Sequence, residues 1–167
     1  MSNCCDGKKA SVGTCSEGCE SSRVCSDGER YVRKELALPP KKAIISCEGG
    51  CIKGEIARVT ANLLAYRLKR SEAVRICLGD AATGNSGFIN LINRAPQVLA
   101  IEGCPLQCGT EIVRGRIKEF NPIVIDVSKL YEFDRNKYFA IFDMPRQEIE
   151  DHAEKAAAYI VANFFWQ

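Results

Sequence analysis

Histidine is almost missing from this 167-residue chain: there is one, His152. A single imidazole excludes a site built on several histidines, and it argues against a His-based catalytic triad. His152 falls within a helical pattern near the C-terminus, where it reads as a surface or packing residue rather than a ligand or a base. Long apolar runs are missing as well. No stretch of 18 apolar residues occurs, so neither a membrane span nor a membrane partner is expected. The first residues, Met1 to Asp6, lack the apolar core of a secretory signal, which points to the cytoplasm. A strong charge excess is missing: the formal net charge is +2, and Lys and Arg are scattered apart from Lys41-Lys42 and Arg67 to Arg70. With no DNA-reading motif beside them, these short runs read as solvated ends of elements, and no nucleic-acid partner is expected. Phosphate loops are missing too. Gly49-Gly50-Cys51-Ile52-Lys53-Gly54 follows a strand and opens a helix, but it is neither G-x-G-x-x-G nor a P-loop.

Cysteine, by contrast, is abundant, with ten in the chain. A reducing cytoplasm keeps thiols reduced, so cysteine on this scale points there to metal or redox chemistry rather than to a disulfide framework. With one histidine available, a metal site would be made of thiolates.

The thiols fall into two groups. Residues 1–30 hold Cys4, Cys5, Cys15, Cys19 and Cys25 among Gly, Ser, Asp and Glu, with Val12 and Val24 as the only larger aliphatic residues. Such a segment buries too little apolar surface to order itself, so it is either disordered or organised by a metal. Cys15 and Cys19 share a C-x3-C spacing. A second metal site is therefore expected from Cys15, Cys19 and Cys25 with Cys4 or Cys5. Residues 31–42 read as a connector that ends in Pro39-Pro40 and favours an extended approach to the body of the protein.

Residues 43–167 alternate between strand and helix patterns. Strands are expected at Ala43 to Ser46, Ala73 to Ile76, Val98 to Ile101 and Ile123 to Ile125, with a possible fifth at Tyr138 to Phe142. Helical spacing runs through 54–70, 87–95 and about 107–120, and again from about Pro145, where Ile149, Ala153, Ala156, Ile160 and Phe164 make one apolar face. Asn85 or Ser86 is the expected cap of the second helix. This alternation predicts an α/β fold: a Rossmann-like open, mostly parallel sheet of four to five strands with helices on both faces. A strand order of 2-1-3-4 fits.

In such a sheet, Cys47, Cys77 and Cys104 follow three strands and share the carboxyl edge, where ligands of these folds bind. Cys51 and Cys108 stand four residues beyond Cys47 and Cys104, at the expected starts of helices. Helix N-termini lower thiol pKa values and favour thiolates, the ligands of Zn²⁺. A strand-end cysteine alone is commonly a small buried hydrophobe. Two C-x3-C pairs at equivalent places are harder to explain that way. Glu102 and Asp80 lie beside these thiols as candidates for supporting them or handling protons, and both are equally at home as turn residues or caps.

Residues "IEGCPLQC", preceded by "SCEGGCIKGEIAR" and "RICLGD", resemble the DGC-domain family, a group described as zinc-binding and characterised by four cysteines. The family pattern runs through a strand-end cysteine with following Ser and Gly, a single cysteine, and then Asp-Gly-Cys-Pro-Leu-x-Cys. The resemblance covers about residues 43 to 130 and implies that Cys47, Cys77, Cys104 and Cys108 bind zinc. Glu102 stands where the motif has Asp, and Cys51 where it has Ser. The Cys-rich N-terminal segment lies outside the pattern. The resemblance implies a metal and no activity. A zinc or other soft-metal protein, handling or sensing the ion, is the expectation, with Cys51 as a spare ligand. The rival is a thiol-dependent redox or sulfur-transfer enzyme that uses Cys51 or Cys108 as nucleophile.

Overall fold

The structure is a computed structural model that describes residues 24–138 and 140–165. Its first helix, α1 (Ser26–Leu36), has acidic residues in the first turn and basic ones in the last, which suits the helix dipole. Four strands follow, β1 (Lys42–Ser46), β2 (Ala73–Arg75), β3 (Val98–Glu102) and β4 (Ile123–Asp126). All pair in parallel, in the order β2-β1-β3-β4. The helices between them are α2 (Ile52–Leu63), α3 (Leu78–Ala81), α4 (Phe88–Arg94) and α5 (Cys108–Arg114), and α6 (Arg146–Phe164) closes the fold.

Strand alternation splits the core into two layers. Ile44, Leu99, Ile101 and Ile125 point to one face and pack with Ile56 and Ala57 of α2 and Ile149, Ala153, Ala156 and Ile160 of α6. Ala43, Ile45, Val74, Ile76 and Ala100 point to the other and meet Val32 of α1, Leu91 and Ile92 of α4 and Val113 of α5. Each fully buried Ile or Leu contributes about 1.5–3 kcal/mol by leaving water. The anticipated doubly covered, mostly parallel α/β sheet is therefore present.

Several elements differ from their expected bounds. Helix α1 crosses the boundary expected at residue 30 and occupies the first half of the expected connector. It is held by Val32 in the core, by Glu29 Oε1 accepting from Gly87 N at 2.7 Å, and by the Arg94 guanidinium on the Leu36 and Leu38 carbonyls. Residues 26–36 thus belong to the α/β body. Helix α2 starts two residues before the expected residue 54 and runs into a π-helical turn, Leu64–Leu68. Helix α5 stops at Arg114, short of Phe120. No fifth strand forms among the described residues. Ile141–Asp143 is a 3₁₀ turn whose Asp143 carboxylate accepts from Ala140 N at 2.6 Å. Ser86 is the polar group at the start of α4, its hydroxyl accepting from Phe88 N at 3.1 Å.

Candidate functional site

The chain leaves β1 towards β2 on one side, and β3 lies on the other. The carboxyl ends of β1 and β3 therefore flank the point where strand order reverses, the usual ligand crevice of an open α/β sheet. Ser46 is level with Ile101, and the next residue, Cys47, still donates its N–H to Ile101 O at 2.9 Å. Cys47 is buried, 4% exposed, and its Sγ accepts from Gly49 N at 3.4 Å. Four residues on, Cys51 is the N-cap of α2, with Sγ accepting from Gly54 N at 3.4 Å. Thiols are weak acceptors, yet here one takes the place of the usual Ser or Asp cap.

The two cysteine turns interlock through backbone. A Cβ on Gly103 would lie 2.5 Å from Lys53 O and 2.8 Å from Gly54 N; one on Gly54 would lie 2.7 Å from Gly49 O. Only glycine permits these approaches. The turn after β3 is thus pressed against the start of α2.

Glu102 holds that turn from below. It is fully buried, and its Oε1 accepts from Thr110 N at 2.7 Å and from Thr110 Oγ1 at 2.8 Å, while Oε2 accepts from Gly109 N at 3.4 Å. Charge-assisted bonds to the open N–H groups of α5 make Glu102 a cap. This is the structural alternative among the roles expected for it. Between Glu102 and α5, Gln107 adopts left-handed backbone, φ 53°, where non-glycine residues are strained. Cys104 is half-buried, Cys108 is exposed as the first residue of α5, and Leu106 projects between them, 75% exposed.

The electrostatics around Cys47 run against the helix-terminus expectation. Burial pushes its thiol pKa up; the N–H groups of Gly49 and Gly103 oppose this, and Glu102 and Cys108 add to it. Cys47 therefore lies within electrostatic reach of both the Glu102 carboxylate and Cys108.

The remaining thiols share the edge without sharing this point. Cys77, the N-cap of α3, is exposed and makes no cap hydrogen bond. It follows β2, so β1 separates it from Cys104, and two strand spacings amount to about 10 Å. Asp80, in α3, has Oδ2 buried without a hydrogen-bond partner, near the Cys25 end of α1. Cys25 caps α1, its Sγ accepting from Gly28 N at 3.3 Å. Cys51 lies near enough to Tyr131 to raise its phenol, an effect second to burial. Among the described residues no group of three or more His, Cys, Asp or Glu side chains is arranged to hold a metal ion. The donor set suits a soft ion in type, and the crevice joins two of its members, but the four-sulfur shell implied by the resemblance is not closed. Cys4, Cys5, Cys15 and Cys19 lie outside the described residues.

Two features were not legible in the sequence. Arg75, inside a strand and 6% exposed, binds Asn62 Oδ1, the Ile44 and Ile76 carbonyls, Ser46 Oγ and Glu48, which ties β2 to the Cys47 turn. An arginine within an apolar run was the available signal. His152 is a packing residue, as expected, but a buried one. It stacks on Tyr131 with ring centroids 4.8 Å apart, and both its nitrogens and Tyr131 Oη are without hydrogen-bond partners among the described residues.

No curated protein and no solved structure matches this chain. The family model of the DGC domain matches residues 43–156, from the first residues of β1 through the cysteine turns and into α6. The match contains every cysteine of the carboxyl edge, and the chain belongs to the DGC domain family.

Proposed function

We propose that this protein binds a soft metal ion, zinc foremost, through cysteine thiolates at the carboxyl edge of its sheet. The observation that carries the reading is the crevice between β1 and β3, where the buried Cys47 lies within electrostatic reach of both the Glu102 carboxylate and Cys108. A thiolate formed at Cys47 is disfavoured beside that carboxylate unless a cation joins it. A bound divalent ion would reverse the upward push on the Cys47 thiol, because thiols deprotonate on coordination. In this reading Cys47 and Cys108 anchor the ion and Cys104 joins them, while Cys77, at the end of β2, stands apart from this point. Cys51, already engaged with Gly54 N, is the spare thiol. Bound zinc would supply structural cross-linking of the β1 and β3 ends. The N-terminal thiols would hold a second ion with Cys25, and metal handling or sensing in the cytoplasm is the role we infer. No helix among the described residues is long and apolar enough to cross a membrane.

Metal analysis of full-length protein purified without added zinc tests this. About one edge-bound equivalent is expected, lost in Cys47→Ser and Cys108→Ser and kept in Cys51→Ser. Metal-free wild-type protein, or equal loss from all three variants, rejects it.

A second reading uses the same thiols for redox or sulfur-transfer chemistry. The electrostatic influence of Cys108 on Cys47 favours it, since two neighbouring thiols would yield two electrons and two protons to a substrate disulfide and become one disulfide themselves. A metal-bound pair resists alkylation, whereas a redox pair alkylates readily when reduced and is blocked when oxidised.

A further inference from the structure

Beside the crevice, at the free edge of β2, the two helical layers leave a concavity of about 500 Å³. That is within the usual size of small-molecule sites, and it opens at the carboxyl ends of β1 and β2, on the ligand-binding edge of the sheet and one strand away from the switch point. Its walls come from four elements. Tyr31 of α1 and Phe88 of α4 stack on one side, with centroids 5.9 Å apart, and Tyr66 and Asn62 stand on the other. Cys77, Glu48 and the arginines Arg58 and Arg75 line it as well.

Three observations point to a built site. Tyr66 is presented by the π-helical turn Leu64–Leu68, closed by Lys69 N donating to Leu64 O at 2.8 Å. Such turns are costly departures from α-helix and occur often at functional sites. Tyr66 is 52% exposed, so it does not owe its place to the core. Arg75 spends its guanidinium on the surrounding wall, taking Asn62 Oδ1 at 3.1 Å and one oxygen of Glu48. This fixes both side chains while Asn62 Nδ2 and Glu48 Oε2 have no hydrogen-bond partner among the described residues. The Tyr66 phenol, like any tyrosine near neutral pH, is a hydrogen-bond donor, and partial burial pushes its pKa further up. The concavity thus offers aromatic faces, one fixed amide donor and one fixed carboxylate acceptor.

We propose that this concavity binds a flat heteroaromatic molecule with a hydrogen-bond donor and an acceptor on one edge, its ring against Tyr66 and its edge read by Glu48 and Asn62. The aminopyrimidinone edge of purines and pterins has that pattern: its N–H groups suit a carboxylate, and its carbonyl suits an amide N–H₂. Stacking on a tyrosine face is indifferent to which such ring is present, so the edge supplies selectivity. Cys77 lies in the wall and becomes covered when the ring is in place. The proposal does not rest on the metal reading.

Guanosine is the probe, and benzoate, flat but without the edge, is the control. Calorimetry on the full-length protein should show guanosine binding at least tenfold more tightly than benzoate. Tyr66→Ala should weaken guanosine at least tenfold, and Glu48→Gln should remove the preference over benzoate. Metal analysis of the same samples should be unchanged by Tyr66→Ala, which separates failure here from failure of the metal reading. Bound guanosine should also slow alkylation of Cys77 by iodoacetamide, relative to Cys51, which lies outside the concavity. Equal affinity for both probes, no binding of either, or full binding by Tyr66→Ala overturns the proposal.

Discussion

The two C-x3-C turns, Cys47 to Cys51 and Cys104 to Cys108, have one spacing and equivalent places in the sheet, yet they divide their work differently. In the first, the leading thiol is buried and the trailing thiol caps a twelve-residue helix. In the second, the leading thiol is half-buried, and capping has passed to Glu102, the last residue of the preceding strand. That transfer frees the Cys108 sulfur from the backbone, and it needs the left-handed residue Gln107 to lead into α5. Equal spacing therefore does not mean equal chemistry: Cys51 is occupied by the fold and Cys108 is available to a ligand.

The strongest way to break this contrast is to remove the carboxylate cap. Glu102→Ala leaves the Gly109 and Thr110 N–H groups and the Thr110 hydroxyl without their partner. It should cost about 3 kcal/mol in a denaturant titration. Glu102→Asp, the residue of the family motif, should recover part of that. A loss within about 0.5 kcal/mol for the alanine variant would remove Glu102 from the capping role. Gly103→Ala attacks the same turn through backbone contact, since its Cβ would sit 2.5 Å from Lys53 O. A loss of about 2 kcal/mol is expected, in the range of other overpacking changes, and a neutral result would show that the turns can part.

Substituting the trailing thiols sharpens the comparison further. Cys51→Ser replaces a weak cap by a strong one and should stabilise the metal-free protein by up to about 1 kcal/mol, whereas Cys108→Ser should leave it nearly unchanged. Equal effects would mean that the turns are equivalent after all. Gln107→Gly relieves the left-handed strain and should raise stability by about 0.5–1 kcal/mol, read as a higher urea midpoint.

The smallest effect expected lies on the far side of α2. Burial, and secondarily Lys155, lowers the pKa of His152 from 6.5, against the opposing pull of Glu148 and Asp151. The unfolded chain then binds the proton more readily than the folded one. The contribution is present in full above about pH 6.5 and is lost as pH falls towards the lower folded value. Stability should decline over that window in wild-type protein and decline less in His152→Phe, which keeps a ring on Tyr131. An unchanged pH slope would show that His152 is not the titrating group.

Much of this fold was legible because periodicity is local. Continuous apolar runs in Ala43 to Ser46 and Val98 to Ile101 marked strands buried on both faces, and the helical tracks between them required parallel crossovers. From that, the position of five thiols on one edge followed, whereas the order β2-β1-β3-β4 was one fitting arrangement that only the structure fixed. Residues 127–144 were not legible. Their apolar residues, Tyr138 and Met144 among them, are buried by packing on α6 and the sheet rather than by any regular period.

What the sequence by itself determined is the layering of the sheet, the edge that carries Cys47, Cys51, Cys77, Cys104 and Cys108, and the chemistry those thiols have in common. Only the tertiary structure decided what each of them does. Which sulfur caps a helix, which is buried beside Glu102, and which lines the concavity at β2 depend on contacts between residues far apart in the chain. Gly103 against Lys53, Arg75 against Glu48 and Tyr66 opposite Phe88 are such contacts. Residue spacing specifies the face and end of an element, because backbone geometry repeats every few residues. The direction of a side chain beyond the end of a strand is set by whichever loop packs against it, and no local repeat encodes that.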